Sequence, residues 1–275
     1  MAEHNPEPYR FAAGAPPLAK SLARRLVRWR PVFRLFELWR AGGRVAETDA
    51  PADGLPTPGP YLRTLVVGHA DRDAFLSDGR ATVDAIDRLM APHGNAISET
   101  GALLDFGCGC GRLSRHFIGR GATVIGVDAN RRLARWCARH LPGRYAPCAL
   151  DPPLPLEAAS ADGVVALSVF THLDAPRQDA WLQELARVAR PGAWAMISFH
   201  DERHPYAEGA VLDAVTRDGF AVRFDALEGT NLFSSYQSHA HVRARWAAHG
   251  WRILDTVPGD ETGFLHGAAL LRRDG

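Results

Sequence analysis

The sequence predicts an α/β protein built on a mostly parallel sheet, and three observations carry that prediction. From about residue 100, short apolar runs alternate with amphipathic stretches of helical period. The first of these runs feeds into "DFGCGCG", a strand-to-helix turn with glycines at 107, 109 and 111. Two late apolar runs, at 251–257 and 263–273, complete the sheet as an antiparallel edge pair.

The elements follow in chain order. Residues 18–40, "LAKSLARRLVRWRPVFRLFELWR", carry seven basic side chains and one acid, Glu37, so the segment is +6 while the whole chain is +1. Leu18, Leu22, Leu26 and Trp29 recur at helical spacing, and Pro31 breaks that helix and opens a second one through Trp39. The Gly- and Pro-rich stretch 42–61 reads as a linker. Residues 71–90 read as a helix starting near Asp78 or Gly79. Strands are expected at 102–106, 122–128, 144–150, 162–170 and 193–200, with helices after the glycine turn, at 130–141 and at 177–190. The last of these shows Trp181, Leu185 and Val188 along one face. Residues 239–250 form a late helix behind Ser238, a side chain suited to capping its first turn. Strand, helix, strand in this order implies right-handed crossovers and a sheet covered on both faces. Two regions result: a basic helical extension and linker over 1–60, and a main domain over 61–275 with a cap insertion at about 200–238.

Composition narrows the function. The 275 residues are 46% apolar and 23% charged, as in a soluble globular protein. A net charge of +1 argues against a general nucleic-acid binder. No run of about 18 apolar residues marks a membrane span, and "MAEHNPEPYRFAAGAPP" lacks the apolar core of a secretory signal. With four cysteines expected to be reduced, a cytoplasmic location is anticipated. Lys20 is the sole lysine among 32 basic residues, a bias that, with abundant Ala, Gly and Pro, suggests a GC-rich bacterial genome.

The glycine turn says more. In such a sheet it sits at the carboxyl end of the strands, where α/β proteins bind ligands. Its spacing is G-x-G-x-G rather than the G-x-G-x-x-G of a dinucleotide site, and Asp105 just before it would repel a diphosphate. A carboxylate there suits a ligand bearing an ammonium group. Asp128 ends the second strand, where it can accept both hydroxyls of a ribose. A ribose, an ammonium and no phosphate describe S-adenosylmethionine.

Over residues 62–272 the chain resembles the class I S-adenosylmethionine-dependent methyltransferases, on the strength of "LLDFGCGCGRLSRHF", "VIGVD", "DGVVALSVFTHL" and "RVARPGAWAMISFH". The resemblance implies a Rossmann-like sheet of seven strands, the last antiparallel, with a helical N-terminal cap. It implies that Asp105, Gly107, Cys108, Gly109 and Gly111 surround the methionine part of S-adenosylmethionine. Asp128, Ala129 and Asn130 would hold the ribose, and Ala149 and Leu150 in "CALD" would flank the adenine. Ser168 and Val169 would floor the site near the methyl group. "AFLSDG" (74–79) is similar to a segment that covers the cofactor in related small-molecule enzymes.

Other features weigh against rival chemistries. Cys108 and Cys110 form C-x-C without a second Cys/His pair at zinc spacing, so they read as small loop residues. The three-acid pattern of magnesium-dependent catechol methyltransferases is not visible, and no metal is expected. "DPPL" (151–154) follows the third strand and lacks the aromatic of base-modifying enzymes, so it reads as a rigid loop. His172, directly after the fourth strand, is the first candidate for a base that removes a hydroxyl proton. His200, His239 and Tyr236 are its competitors, and packing is the plain alternative for each. The expectation is methyl transfer to a small-molecule acceptor, at a hydroxyl oxygen, in bacterial specialised metabolism. N- or C-methylation is the nearest alternative. A non-catalytic S-adenosylmethionine-binding protein and a nicotinamide-dependent oxidoreductase are more distant ones. Nucleic acid and membrane insertion are not expected. Residues 18–40 are candidates for a lid, a homodimer contact or the dock for an acidic carrier protein.

Overall fold

A computed structural model describes Ala46, residues 48–223 and residues 233–275. The basic helix expected at 18–40 and the middle of the 200–238 insertion lie outside the described residues. The chain divides into two compact units, Met1–Phe75 and Leu76–Gly275.

In the first unit, strands β1 (Thr48–Ala52) and β2 (Leu55–Pro58) pair antiparallel, and helix α1 (Pro60–Val67) follows. Residues 48–58 are therefore a hairpin rather than linker. Its turn is Asp53–Gly54, with φ of 50° and 80°, and Asp-Gly tolerates the two successive positive φ values that a tight hairpin requires. Arg63 is buried here, its guanidinium donating to the carbonyls of Pro58 and Ala70 and to the Asp49 carboxylate.

Helix α2 (Arg72–Met90) begins six residues before the expected Asp78. The Asp71 Oδ1 accepts the Ala74 N–H at 2.9 Å, so the cap is Asp71, and Gly79 lies inside the helix. That glycine has a packing role. A Cβ built on it would stand 2.6 Å from the backbone oxygen of Arg112, so α2 approaches the segment after the glycine turn as closely as a bare backbone allows.

The second unit continues through β3 (Ala102–Phe106), α3 (Ser114–Gly119), β4 (Thr123–Asp128), α4 (Arg131–His140), β5 (Arg144–Pro147) and β6 (Ala161–Ala166). Next come α5 (Ala175–Val188), β7 (Ala189–Phe199), α6 (Ala210–Asp218), β8 (Phe220–Arg223) and β9 (Ser234–Gln237). Helix α7 (His239–Trp246), β10 (Trp251–Val257), the short α8 (Gly259–Thr262) and β11 (Gly267–Arg273) finish it. Seven strands form one sheet in the order β10-β11-β7-β6-β3-β4-β5. β3 pairs parallel with β4 and β6, β4 with β5, and β6 with β7. β11 runs antiparallel to both β7 and β10, so it is an inner strand, and of this late pair only β10 lies at an edge, with β5 at the other.

Alternation along the strands fills two cores, one per face. Leu104, Phe106, Ile125, Val164 and Ile197 pack with Trp181, Leu182 and Leu185 of α5 and with Val242 and Trp246 of α7. Leu103, Val124, Val165 and Met196 pack on the other face with Val83, Ile86 and Met90 of α2 and with Phe117 of α3. Both faces being covered explains why the strands read as near-continuous apolar runs. Side chains cap the helices that follow the strands. Asn130 accepts from Arg132 N, Asp174 from Arg177 N, and Ser238 from His241 N as its position suggests. The insertion after β7 carries its own small core of Ala207, Val215, Ala221 and Tyr236.

The Gly79 contact gives a test in which two effects oppose. By helix propensity alone Gly79→Ala stabilises the protein by about 1 kcal/mol. With a backbone oxygen in the way, overpacking should outweigh that gain and lower stability by roughly 1–3 kcal/mol in denaturant unfolding. A stabilised variant would show that α2 and the segment at Arg112 separate freely.

Candidate functional site

The site is built where the sheet's parallel strands end. Beyond β3 the backbone turns through Gly107, Gly109 and Gly111 with φ of 83°, 54° and 80°. Gly107 is also a close approach, since a Cβ there would stand 2.3 Å from Cγ2 of Val169. The N–H groups of Gly107 and Cys108 both donate to the Val127 carbonyl, at 2.8 and 3.0 Å, tying the loop to β4.

Asp128 fixes the same loop from its side chain. One carboxylate oxygen accepts the Gly109 N–H at 2.8 Å and the other accepts the Asn130 N–H at 2.7 Å. Burial raises its pKa against the pull of these two donors. Ala129 and Asn130 beside it are exposed. On β5's exit, Cys148 N–H donates to the Asp128 carbonyl, and Leu150 stands 51% exposed, unusual for a large apolar side chain. Ala149 beside it is exposed as well.

Asp105 sits deeper, 2% exposed, and accepts the Ser114 hydroxyl at 2.6 Å. Burial pushes its pKa up to about 6 despite that hydrogen bond. Ser114 was not singled out from the sequence, although it stands on the first turn after the loop. Cys108 and Cys110 are buried thiols with raised pKa values, the Cys137 thiol being the largest cause for Cys108 and burial the largest for Cys110. The Cys137 thiol donates to the Gly109 carbonyl at 3.4 Å. In the "DPPL" loop, Leu154 is buried and its N–H donates to Glu184, in keeping with a packing role.

Opposite the loop, β6 exits through Ser168, a non-glycine residue at φ 57°, and Val169. Ser168 N–H donates to the Ser198 hydroxyl at 2.8 Å, and the Ser168 hydroxyl meets His266 Nδ1 at 3.1 Å. His172 closes the 3-10 turn Phe170–His172, and its Nδ1 donates to the Phe233 carbonyl at 2.7 Å. That bond leaves Nε2 with the lone pair, and burial lowers the ring's pKa below 6.5. His200 follows β7, only 8% exposed. His239 Nε2 faces the wholly buried Asp201 at 3.2 Å, and its ring packs on Phe199. Tyr236 bridges to His200 through the backbone and stacks beside it, with ring centroids 5.0 Å apart.

His266 was absent from the sequence-derived candidates. It precedes β11, and because β11 runs antiparallel with Gly267 opposite Phe199, it arrives at the carboxyl end of β7. An inner antiparallel strand whose preceding residue is polar is the signal that could have found it. His266 is lowered to about pKa 3 and His204 to about 4, both chiefly by burial.

The raised pKa of Asp105 sets a sign for acid behaviour. A carboxyl that is harder to ionise when folded stabilises the protein below about pH 4. That contribution is lost as pH rises towards about 6. Asp105→Asn should therefore be more stable than the parent at pH 7, by roughly 1–3 kcal/mol. It should also flatten the stability change between about pH 4 and 6. Identical pH profiles in denaturant unfolding would show that Asp105 is not the group responsible.

Comparison with known proteins agrees with this layout. The family described as "Methyltransferase domain" matches residues 104–197, from β3 to β7. Uncharacterized methyltransferases of Mycobacterium tuberculosis and Mycobacterium bovis are each 29% identical over 158 residues, 57% of this chain and 60% of theirs. The chain thus spans about 60% of the length of the curated relatives it matches. Among solved structures, the 1,6-didemethyltoxoflavin-N1-methyltransferase of Burkholderia thailandensis, with its substrate and S-adenosylhomocysteine bound, aligns with a TM-score of 0.54. That alignment is 17% identical and covers 84% of this chain and 100% of that one. An S-adenosylmethionine-dependent methyltransferase of Mesorhizobium loti aligns at 0.53 with 16% identity, over 70% of this chain and 100% of that one. These likenesses are of fold: over residues 104–197 the chain matches a methyltransferase domain, and its seven-stranded sheet is similar to that of S-adenosylmethionine-dependent methyltransferases.

Proposed function

We propose that this protein transfers a methyl group from S-adenosylmethionine to a hydroxyl oxygen of a small organic molecule, as a step of bacterial specialised metabolism. The cofactor fits the residues present. A cradle that a Cβ at Gly107 would fill, two carboxylates and the exposed apolar Leu150 match an ammonium, a ribose and an adenine. S-adenosylmethionine supplies an electrophilic methyl group on its sulfonium. The protein's own task is to place the acceptor in line with that methyl and to handle one proton.

The observation that carries the oxygen acceptor is the tautomer of His172. With Nδ1 committed to Phe233, the ring offers Nε2 as a neutral base, and its lowered pKa keeps it unprotonated at pH 7. An amine acceptor that is neutral when bound has no need of such a group before attack. His239 is held by Asp201, which makes it a positioning residue in this reading. A small-molecule acceptor is favoured by the insertion after β7, which carries its own small core. Residues 18–40 remain the candidate contact for a second copy or for an acidic carrier protein.

Two experiments test this reading. Asp128→Ala should weaken S-adenosylhomocysteine binding by roughly 1.5–3 kcal/mol in calorimetry, the scale of lost charge-assisted hydrogen bonds. Unchanged affinity in folded protein would move the cofactor elsewhere. His172→Ala should cut the methylation rate by about 10²–10⁴-fold while cofactor affinity stays within a few-fold. The parent's rate should rise with pH through a limb below pH 6.5 that the variant lacks. If the variant keeps most of its rate, the acceptor is an amine or the base is another residue.

A further inference from the structure

Three imidazoles, two of them four residues apart and the third 62 residues further on, meet at the acceptor side of this crevice. His200, His204 and His266 each bring one ring nitrogen within 4.8 Å of the other two. Ring centroids are 4.1 Å apart for His200 and His204, 4.9 Å for His200 and His266, and 5.8 Å for His204 and His266. His200 is 8% exposed and its Nδ1 has no hydrogen-bond partner, a costly state for a buried polar atom. His266 uses Nδ1 towards the hydroxyls of Ser168 and Ser198, which orients the ring and leaves Nε2 uncommitted. His204 Nδ1 accepts the Tyr206 N–H at 3.3 Å, a long contact that ligation through Nε2 would exchange for the other tautomer.

We propose that His200, His204 and His266 form a binding site for a borderline divalent transition-metal ion, zinc being the best match. Three neutral imidazoles without a thiolate suit such ions and not magnesium or calcium, which take oxygen ligands. A tetrahedral zinc about 2.0–2.1 Å from each nitrogen needs nitrogen separations of about 3.4 Å, so the rings must close by at most about 1.4 Å from the 4.8 Å limit. The Ser168 and Ser198 hydroxyls on the far nitrogen of His266 are the kind of outer partner that orients a ligating imidazole. Three protein ligands would leave a fourth position open for a lone pair of the acceptor. The site itself stands on geometry alone; only that acceptor-holding role rests on the methyltransferase reading. The sequence expectation of no metal came from ligand spacing along the chain. That spacing is silent about a residue after β7, one in the following turn and one before β11.

The test uses the full chain, stripped with EDTA and titrated with Zn2+ by calorimetry and with Co2+ by visible absorption. The parent should bind one equivalent, and Co2+ should develop the d–d bands of a nitrogen-ligated, low-coordinate site. His204→Ala and His266→Ala should each weaken binding by at least about 100-fold, more than is typical for losing an outer partner. His93→Ala, outside the cluster, should leave it unchanged. Thermal melts and S-adenosylhomocysteine binding on the same samples establish that each variant is folded. No stoichiometric binding by the parent, or equal binding by the His204→Ala/His266→Ala double variant, would overturn the proposal. One equivalent of metal without any S-adenosylhomocysteine binding would sustain the metal site and sink the methyltransferase reading instead.

Discussion

One carboxylate at the end of β4 governs the arrangement of everything around it. Asp128 accepts two backbone N–H groups, from Gly109 and Asn130, and so fastens the turn after β3 to the start of α4. Hydrogen bonds to a charged group are worth about 1.5–3 kcal/mol, enough to hold a loop of positive-φ residues in one shape. That shape presses Gly107 against Val169, which sets where β6 may leave the sheet. Ser168 then adopts its left-handed conformation, secured by Ser198 at its N–H and facing His266 through its hydroxyl. The glycine turn after β3 and the histidines beyond β6 and β7 are thus joined by a short run of direct contacts.

Much of this was legible in the residues because the physics behind it is local. The five parallel strands, the cap at Ser238 and the place of Asp128 all follow from period, side-chain capping and the position of a polar group at a strand end. Where expectation and structure part, the reason is long-range. Gly79 looks like a helix start until α2 is seen lying on Arg112. Asp53–Gly54 looks like a breaker in a Pro-rich stretch until its two flanks pair. His266 looks like part of a strand, and only the antiparallel insertion of β11 beside β7 gives it a neighbour in the crevice.

The region beyond β6 and β7 gathers imidazoles rather than charges. His172, His200, His204 and His266 are all lowered in pKa, burial being the largest cause for each. A concentration of neutral lone pairs results, beside Asp201, whose carboxylate meets His239 and accepts the Gly259 N–H. Such a surface can take up a proton or a cation but has little to offer an anion.

The inner position of β11 has a consequence for how the molecule comes into being. β11 separates β10 from β7, yet it follows both in the chain, so β10 has no partner until β11 exists. The sheet from β5 to β7 can assemble first, and the β10–β11 pair must then dock as a unit across a long sequence separation, a slow kind of step. Until it does, β7 is an edge strand of eleven residues whose last seven, from Ala193 to Phe199, are all buried in the finished fold. An apolar edge of that length is a template for pairing with another chain. A growing chain is therefore most exposed to aggregation in the interval between β7 and β11, and chaperone dependence should concentrate there.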